Sequence, residues 1–344
     1  MFFVANVGVD SGACTRNAPC ATIPFVLAKP QPQYKTIHIL GGTYAIGAST
    51  LEISQAAYIE GSNPIITASV NGPVFHFQFS LGMGVLNDVT VVGGNTPSNN
   101  PAITVDGATV QIYGATIKRG VRMMSGNVSI SKSTFTDPTV AVSGVDCTSG
   151  TVSIDTSSFT ASKITSTGCT LTLSRSRFNE STDSCFLASG GKVVIENNLF
   201  NAQSELLDCG EVDAALAGST VRFNTFANLS DLVADGRALS CDASLDVTSN
   251  IFAWGSTAPH GPTTCAPKYS LYDTANTTAV PPTSFSGNAS TFFVNKSAMD
   301  FHLAPNSPAI GMAQTGLTVT TDLDGNPRPS PDGSTPDVGA YEAP

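Results

Sequence analysis

The chain alternates apolar and polar residues in short bursts, such as "VSISKSTF", "VSIDTSSF" and "LTLSRSRF". Alternation of period two over four to eight residues, rich in β-branched and aromatic side chains, predicts strands. Long helical periodicity is nearly absent, because Pro and Gly interrupt most windows that could otherwise be amphipathic. The one helix candidate is "ATIPFVLAKPQPQ" near the N-terminus.

The bursts recur. Two apolar residues five apart occur as Leu86/Val91, Ile112/Ile117, Ile130/Phe135, Ile154/Phe159, Leu173/Phe178, Ile195/Phe200, Val221/Phe226 and Val247/Phe252. Successive copies are 18 to 26 residues apart, a length that suits one coil of a solenoid. Five is odd, so a straight strand would send the two anchors to opposite faces. Both reach one core only if the chain bends between them. The residue two before the second anchor reads Val89, Ala115, Ser133, Ser157, Ser176, Asn198, Asn224, Asn250. Asn198, Asn224 and Asn250 are therefore expected to stack as a hydrogen-bonded ladder at a corner, where Asn also tolerates left-handed backbone. The next column is Thr90, Thr116, Thr134, Ser158, Arg177, Leu199, Thr225, Ile251. It should point outward, as ordinary β-surface or as a short lattice-binding array.

The eight cysteines obey the same period. Residues one coil apart lie above one another, within disulfide reach. The spacing therefore predicts Cys147–Cys169, Cys185–Cys209 and Cys241–Cys265, with Cys14–Cys20 closing a short N-terminal loop. Buried free thiols are the alternative. Disulfides imply an oxidising compartment, secreted or at the cell surface. Composition fits: of 344 residues, 41% are hydrophobic and only 12% charged, with a net charge of −10. That balance argues against nucleic acid as a partner, and an acidic polymer would need a local basic patch. No apolar run is long enough to span a membrane. The start, "MFFVANVGVDSGAC", has no basic segment followed by an apolar core, as expected of a mature domain whose signal peptide is absent.

The ends are more specific. "GVDSGACTRNAPCATIPFVLA" and "YKTIHILGGTYA", with "DFHLAPNSPAIGMA" and "TDLDGNPRPSPDGSTPDVGAYE", resemble bacterial secreted right-handed parallel β-helix proteins of the pectate-lyase-like class, many of them large surface proteins. The resemblance implies an all-β, single-stranded right-handed parallel β-helix of about ten coils. One continuous domain is expected: a cap and first coil over 1–60, coils over 61–265, and a last coil and cap over 266–344. His302, within the end motif, is expected to be structural. The Pro-rich end should stop further strand addition at an open rung. No anchor segment follows Glu342, so surface attachment stays open.

For activity the resemblance implies an extracellular polysaccharide as partner, with polysaccharide lyase chemistry or, alternatively, a non-catalytic adhesin or spacer. It places functional groups on the outward side of the first strand of each coil, expected near 102–105, 121–124, 140–143, 163–166, 184–188, 205–208 and 231–234. A lyase needs a basic group to take a proton. Lys118, Arg119 and Arg122, in "IKRGVR", form the densest basic cluster and are the catalytic candidates. Lys163, Asp183 and Asp208 are the candidates for substrate contact. Asp322, Asp324 and Asn326 stand at alternate positions, like the start of a Ca²⁺ loop. A turn whose side chains cap backbone amides is the competing reading, because a downstream Glu at the needed spacing is missing and Gly325 comes too early.

Overall fold

A computed structural model describes residues 1–30, 34–47, 49–68, 72–94, 100–136, 143–181, 184–202, 209–228, 238–241, 244–253, 265–273 and 280–344. The chain divides into two compact units, Met1–Ser153 and Ile154–Pro344. Both are built from coils of three short parallel strands, the architecture of a parallel β-helix.

In the N-terminal unit the first strands of successive coils are Leu51–Ile53, Phe75–Phe77, Ile103–Val105, Val121–Met123 and Val145–Cys147. They pair in parallel in the register Leu51↔Phe75↔Ile103↔Val121↔Val145. The second sheet runs through Phe2–Val4, Lys35–Ile39, Ala57–Gly61, Gly84–Asn87, Ala108–Tyr113 and Gly126–Ser131. The third runs through Thr43–Ala45, Ile65–Thr67, Thr90–Val92, Thr116–Lys118 and Thr134–Thr136. One face of every strand is buried, which is what the period-two alternation encodes. A helix, Ile23–Ala28, lies within the segment that suggested one; Thr22 caps it by accepting from Phe25 N.

The C-terminal unit repeats the plan. Its first-sheet strands are Ile164–Thr167, Phe186–Ser189, Gly210–Asp213 and Leu239–Cys241. Three described first strands begin at Val145, Gly210 and Leu239. The runs expected at 140–143, 205–208 and 231–234 lie wholly or almost wholly outside the described residues, and the inward positions of the described strands belong to Val145/Cys147, Gly210/Val212 and Leu239/Cys241.

The apolar pairs five apart both face inward, and the bend lies between them. Ile195 and Phe200 are both 0% exposed. The left-handed residue is not the ladder residue but the one before it: Asp88, Lys132, Thr156, Arg175, Asn197, Phe223 and Ser249 all have φ between 43° and 58°. The ladder side chain then reaches along the axis. Asn198 Oδ1 accepts from Ser176 N, Asn224 Oδ1 from Asn198 N, and Asn250 Oδ1 from Asn224 N, at 2.9, 3.0 and 2.9 Å. Two further rungs continue it, Asn250 N donating to Ser270 Oγ and Ser270 N to Ser284 Oγ. Each Asn Nδ2 also donates to carbonyls, Asn224 Nδ2 to Ile195 O and Arg222 O. So the amides satisfy backbone groups that the turn buries. Directly inside, Phe159, Phe178, Phe200, Phe226, Phe252 and Tyr272 stack with ring centroids 4.5 to 5.4 Å apart. Such pairs contribute about 0.5–1.5 kcal/mol each beyond burial.

Cys14–Cys20, Cys185–Cys209 and Cys241–Cys265 are joined, with Cα atoms 4.8, 4.7 and 5.6 Å apart. Cys147 and Cys169 are disulfide-bonded as well.

The C-terminal segment does more than close an end. After the last rungs, Leu271–Asp273 and Phe285–Gly287, a hairpin of Phe293–Asn295 with Asp300–Leu303 turns the chain back. The segment then lies along the outward side of the third sheet. Ala340 N donates to Thr225 Oγ1, Gly339 N to Ser249 O, and Asn197 Nδ2 to Thr321 O. Arg328 is its buried pin: its guanidinium sits 4.4 Å over the Phe223 ring and donates to the carbonyls of Asp337 and Gly339.

Candidate functional site

The outward column of the first sheet in the N-terminal unit reads Glu52, His76, Thr104, Arg122, Asp146, one residue per rung. Their neighbours in sequence are buried, so the strand alternation alone turns these five to the outside. At a rung spacing of about 4.8 Å, the column is a ribbon of ionisable groups. Two pairs form along it. His76 Nδ1 is 2.8 Å from Glu52 Oε2, and Arg122 Nε donates to Asp146 Oδ2 at 3.1 Å. Thr104 separates the pairs. Both pairs are partly exposed, a setting in which ion pairs contribute little to stability.

A cavity of about 250 Å³ opens beside the first rung, lined by Lys29, Lys35, Glu52, Ser54 and Gln55 among others. Lys35 stands at an inward strand position, 7% exposed, and its ammonium donates to the carbonyl of Leu27 near the end of the helix. Burial pushes its pKa down, since desolvation penalises the charged form. Lys29 donates to Gly12 O at 2.6 Å and lies 4.5 Å over the Phe25 ring.

The basic cluster that is contiguous in sequence is divided in space. Arg122 points out from the first sheet, whereas Lys118 points out from the third, opposite Thr136 and Val92. Arg119 occupies the turn between them, with φ 75°. The three cations wrap a corner of the coil and do not share one face. Lys163, half-buried, immediately precedes the strand Ile164–Thr167 in the C-terminal unit. Asp183 and Asp208 lie outside the described residues, as does His260.

Asp322 is wholly buried and acts as a turn cap: Oδ1 accepts from the amides of Asp324 and Asn326, and Oδ2 from Asn326 Nδ2 and the Glu342 amide. Asp324 reaches elsewhere, to Arg177 at 2.5 Å and to His302 Nε2 at 2.7 Å. Thus the carboxylates of "DLDGNP" are engaged by amides and cations. Among the described residues no cluster of three or more His, Cys, Asp or Glu is placed to hold a metal ion. Nor is any described helix long and apolar enough to cross a membrane.

The column could not be assembled from the sequence because its members are 18 to 28 residues apart and only one of them, Arg122, belongs to a dense charged run. Glu52 and His76 carry a signal all the same: each is a lone polar residue between two inward apolar ones, in "LEI" and "FHF".

No family model matches the chain, and no curated protein matches it. Among solved structures the chain is similar to one described as pectate lyase Pel9A, with a TM-score of 0.48 and 12% sequence identity, over 100% of this chain and 96% of that one. At that distance the similarity assigns no residue and no reaction.

Proposed function

We propose that the protein is an extracellular glycan-binding β-helix whose N-terminal unit takes a polysaccharide along the outward column Glu52–His76–Thr104–Arg122–Asp146. The observation that carries the reading is that column: hydrogen-bonding and charged side chains repeat rung by rung on one sheet face. A polymer with a regular repeat can meet such a ribbon at several points at once, and linked contacts multiply. Arg119 and Arg122 at the corner are the cations an acidic sugar would meet, beside the carboxylates of Glu52 and Asp146 that His76 and Arg122 pair. The disulfides fit an oxidising location.

Cleavage by β-elimination would require Lys118, Arg119 or Arg122 as the base. Arg122 is already ion-paired with Asp146, Lys118 faces away, and Arg119 stands in the turn rather than in the column, so the reading put forward is binding. The pairing of both His76 and Arg122 within the column also favours a second reading, a non-catalytic adhesin or spacer in which these pairs are surface structure.

Retention on immobilised polygalacturonate, alginate and neutral polysaccharides, together with ultraviolet absorbance of unsaturated products, tests both. Retention on an acidic polymer that Arg122→Ala weakens about tenfold supports the binding site. Retention on none of the polymers returns the protein to the spacer reading, and appearance of unsaturated product would make it a lyase.

A further inference from the structure

The second sheet of the N-terminal unit carries a feature that the column on the first sheet does not use. Its outward grid follows from the register. One column contains Thr36, Tyr58, Val85, Gln111 and Ser129, with Val85 itself buried, and the next contains Phe3, His38, Glu60, Asn87, Tyr113 and Ser131. Tyr34 stands just before Lys35, level with Ala56, whose carbonyl accepts from Lys35 N. Tyr34, Tyr58 and Tyr113 therefore descend the sheet on a diagonal. With strands about 4.8 Å apart and about 3.3 Å per residue, their Cα atoms are separated by about 8 Å and about 12 Å. Tyr34 is 61% exposed, and Tyr58 and Tyr113 are partly exposed.

Between the rings lie hydrogen-bonding groups. Glu60 holds His38 at 3.0 Å, Glu60 and Asn87 hydrogen-bond the Tyr58 side chain, and Gln111 offers an amide. Lys132 donates to the Tyr113 hydroxyl at 2.9 Å and lies 5.2 Å from its ring centroid, which fixes that ring. The charge on this face belongs to Glu60 and Asp88, both near Tyr58, against the cation Lys132. A polyanion would be repelled, whereas an uncharged chain meets no penalty.

From this geometry we infer that the second-sheet face of the N-terminal unit, with Tyr34, Tyr58 and Tyr113 as plates and Glu60, Asn87 and Gln111 as hydrogen-bonding groups between them, binds an uncharged, linear pyranose chain. A ring plate with a polar tip matches the apolar face and hydroxyl rim of a pyranose. The separations between plates are ones that a short run of sugars spans. Rigid aromatic side chains lose little entropy on binding. This rests on the reading of the protein as a glycan binder, but it uses another face and another class of chain.

The test is isothermal titration of the whole protein with cellohexaose and xylohexaose, alongside retention on polygalacturonate. Binding of either hexaose should weaken about tenfold in Tyr58→Ala and in Tyr113→Ala and persist in Tyr58→Phe, which keeps the plate. Unchanged polygalacturonate retention in the alanine variants shows that they are folded and that the two faces act separately. Absence of hexaose binding, or equal binding by wild type and both alanine variants, overturns the inference while leaving the first-sheet column untouched. Self-association that Tyr58→Ala abolishes, measured by sedimentation, would also overturn it, because the plates would then be covered by a second copy. Conversely, loss of polygalacturonate retention in Arg122→Ala with intact hexaose binding separates the two sites.

Discussion

The outward face of the third sheet differs between the two units. In the N-terminal unit the column Thr43, Ile65, Thr90, Thr116, Thr134 is exposed or half-exposed. In the C-terminal unit the equivalent column starts with the partly exposed Ser158 and Arg177, and its next members, Leu199, Thr225, Ile251 and Leu271, are at most 4% exposed. The strands are alike; what lies over them is not. The chain's own last segment covers the second column, with Phe292, Phe301, Leu323, Val338 and Tyr341 packed in the same cluster. Outward positions thus turn mostly apolar where the segment covers them, and the covered Thr225 keeps its hydroxyl because it accepts from Ala340 N. Thr at Thr116 and Ile at Ile251 obey one rule under two conditions.

Removing the pin of that cover should have the largest effect. Arg328→Ala strips both carbonyl partners and leaves Glu342, 3.5 Å from the guanidinium, buried without its cation. A loss of about 3–5 kcal/mol is expected in urea unfolding, with the covered column becoming accessible to hydrogen exchange. An unaltered exchange pattern would show that the segment docks without it.

The ladder comes next. Asn224→Ala strands the Asn198 backbone N–H and removes the donor to the carbonyls of Ile195 and Arg222, a loss of about 3 kcal/mol at 1–3 kcal/mol per stranded group. Ser133→Ala, at the same column in the N-terminal unit, strands the Ala115 amide and removes a donor to Ser131 O, and should cost about 1 kcal/mol. Equal losses would mean that the hydroxyl and amide rungs are equivalent.

Exchanging the two surfaces residue by residue sharpens the contrast further. Ile251→Thr buries a hydroxyl under the segment and should lower stability by about 2 kcal/mol. Thr116→Ile, on the bare face, should stay within about 0.5 kcal/mol. Thermal unfolding of the pair decides it, and a large effect at Thr116 would reveal a cover there too.

The smallest effect is on pH. His302 Nδ1 and Nε2 lie 2.6 and 2.7 Å from Asp300 and Asp324, with Arg177 also on Asp324 and the Tyr341 ring 4.4 Å away. Two carboxylate partners need both ring nitrogens protonated. Burial opposes the charge, but the bonds to Asp300 and Asp324 prevail and raise the His302 pKa above 6.5. The stabilisation is therefore complete below the unfolded-state value and is lost as pH rises through the folded one. Because His302 is half-exposed, the slope is shallow. Unfolding midpoints should fall slightly between neutral and mildly alkaline pH, and His302→Gln should remove that dependence.

Much of this architecture is legible along the chain. A residue's inward or outward sense needs only its immediate neighbours, so the apolar anchors, the Asn ladder and the coil-length cysteine spacings could all be read from local pattern and period. A repeat makes distant residues neighbours by counting. The place of the left-handed backbone, one residue before the ladder, was not legible, because Asp, Lys, Thr, Arg, Asn, Phe and Ser all occupy it. At Phe223 the strain of that conformation is borne where Arg328 covers the ring.

What the sequence alone determined, then, is the coil: alternation sets which side of each strand is wet or dry, and the period sets which rungs touch. What only the tertiary structure decided is which outer faces stay open. Thr321 meets Asn197, and Ala340 meets Thr225, across 124 and 115 residues. No period links those partners. The same holds for the charged column and the diagonal of tyrosines: each member follows a local rule, but their alignment depends on the lengths of the intervening turns, which set the register between rungs.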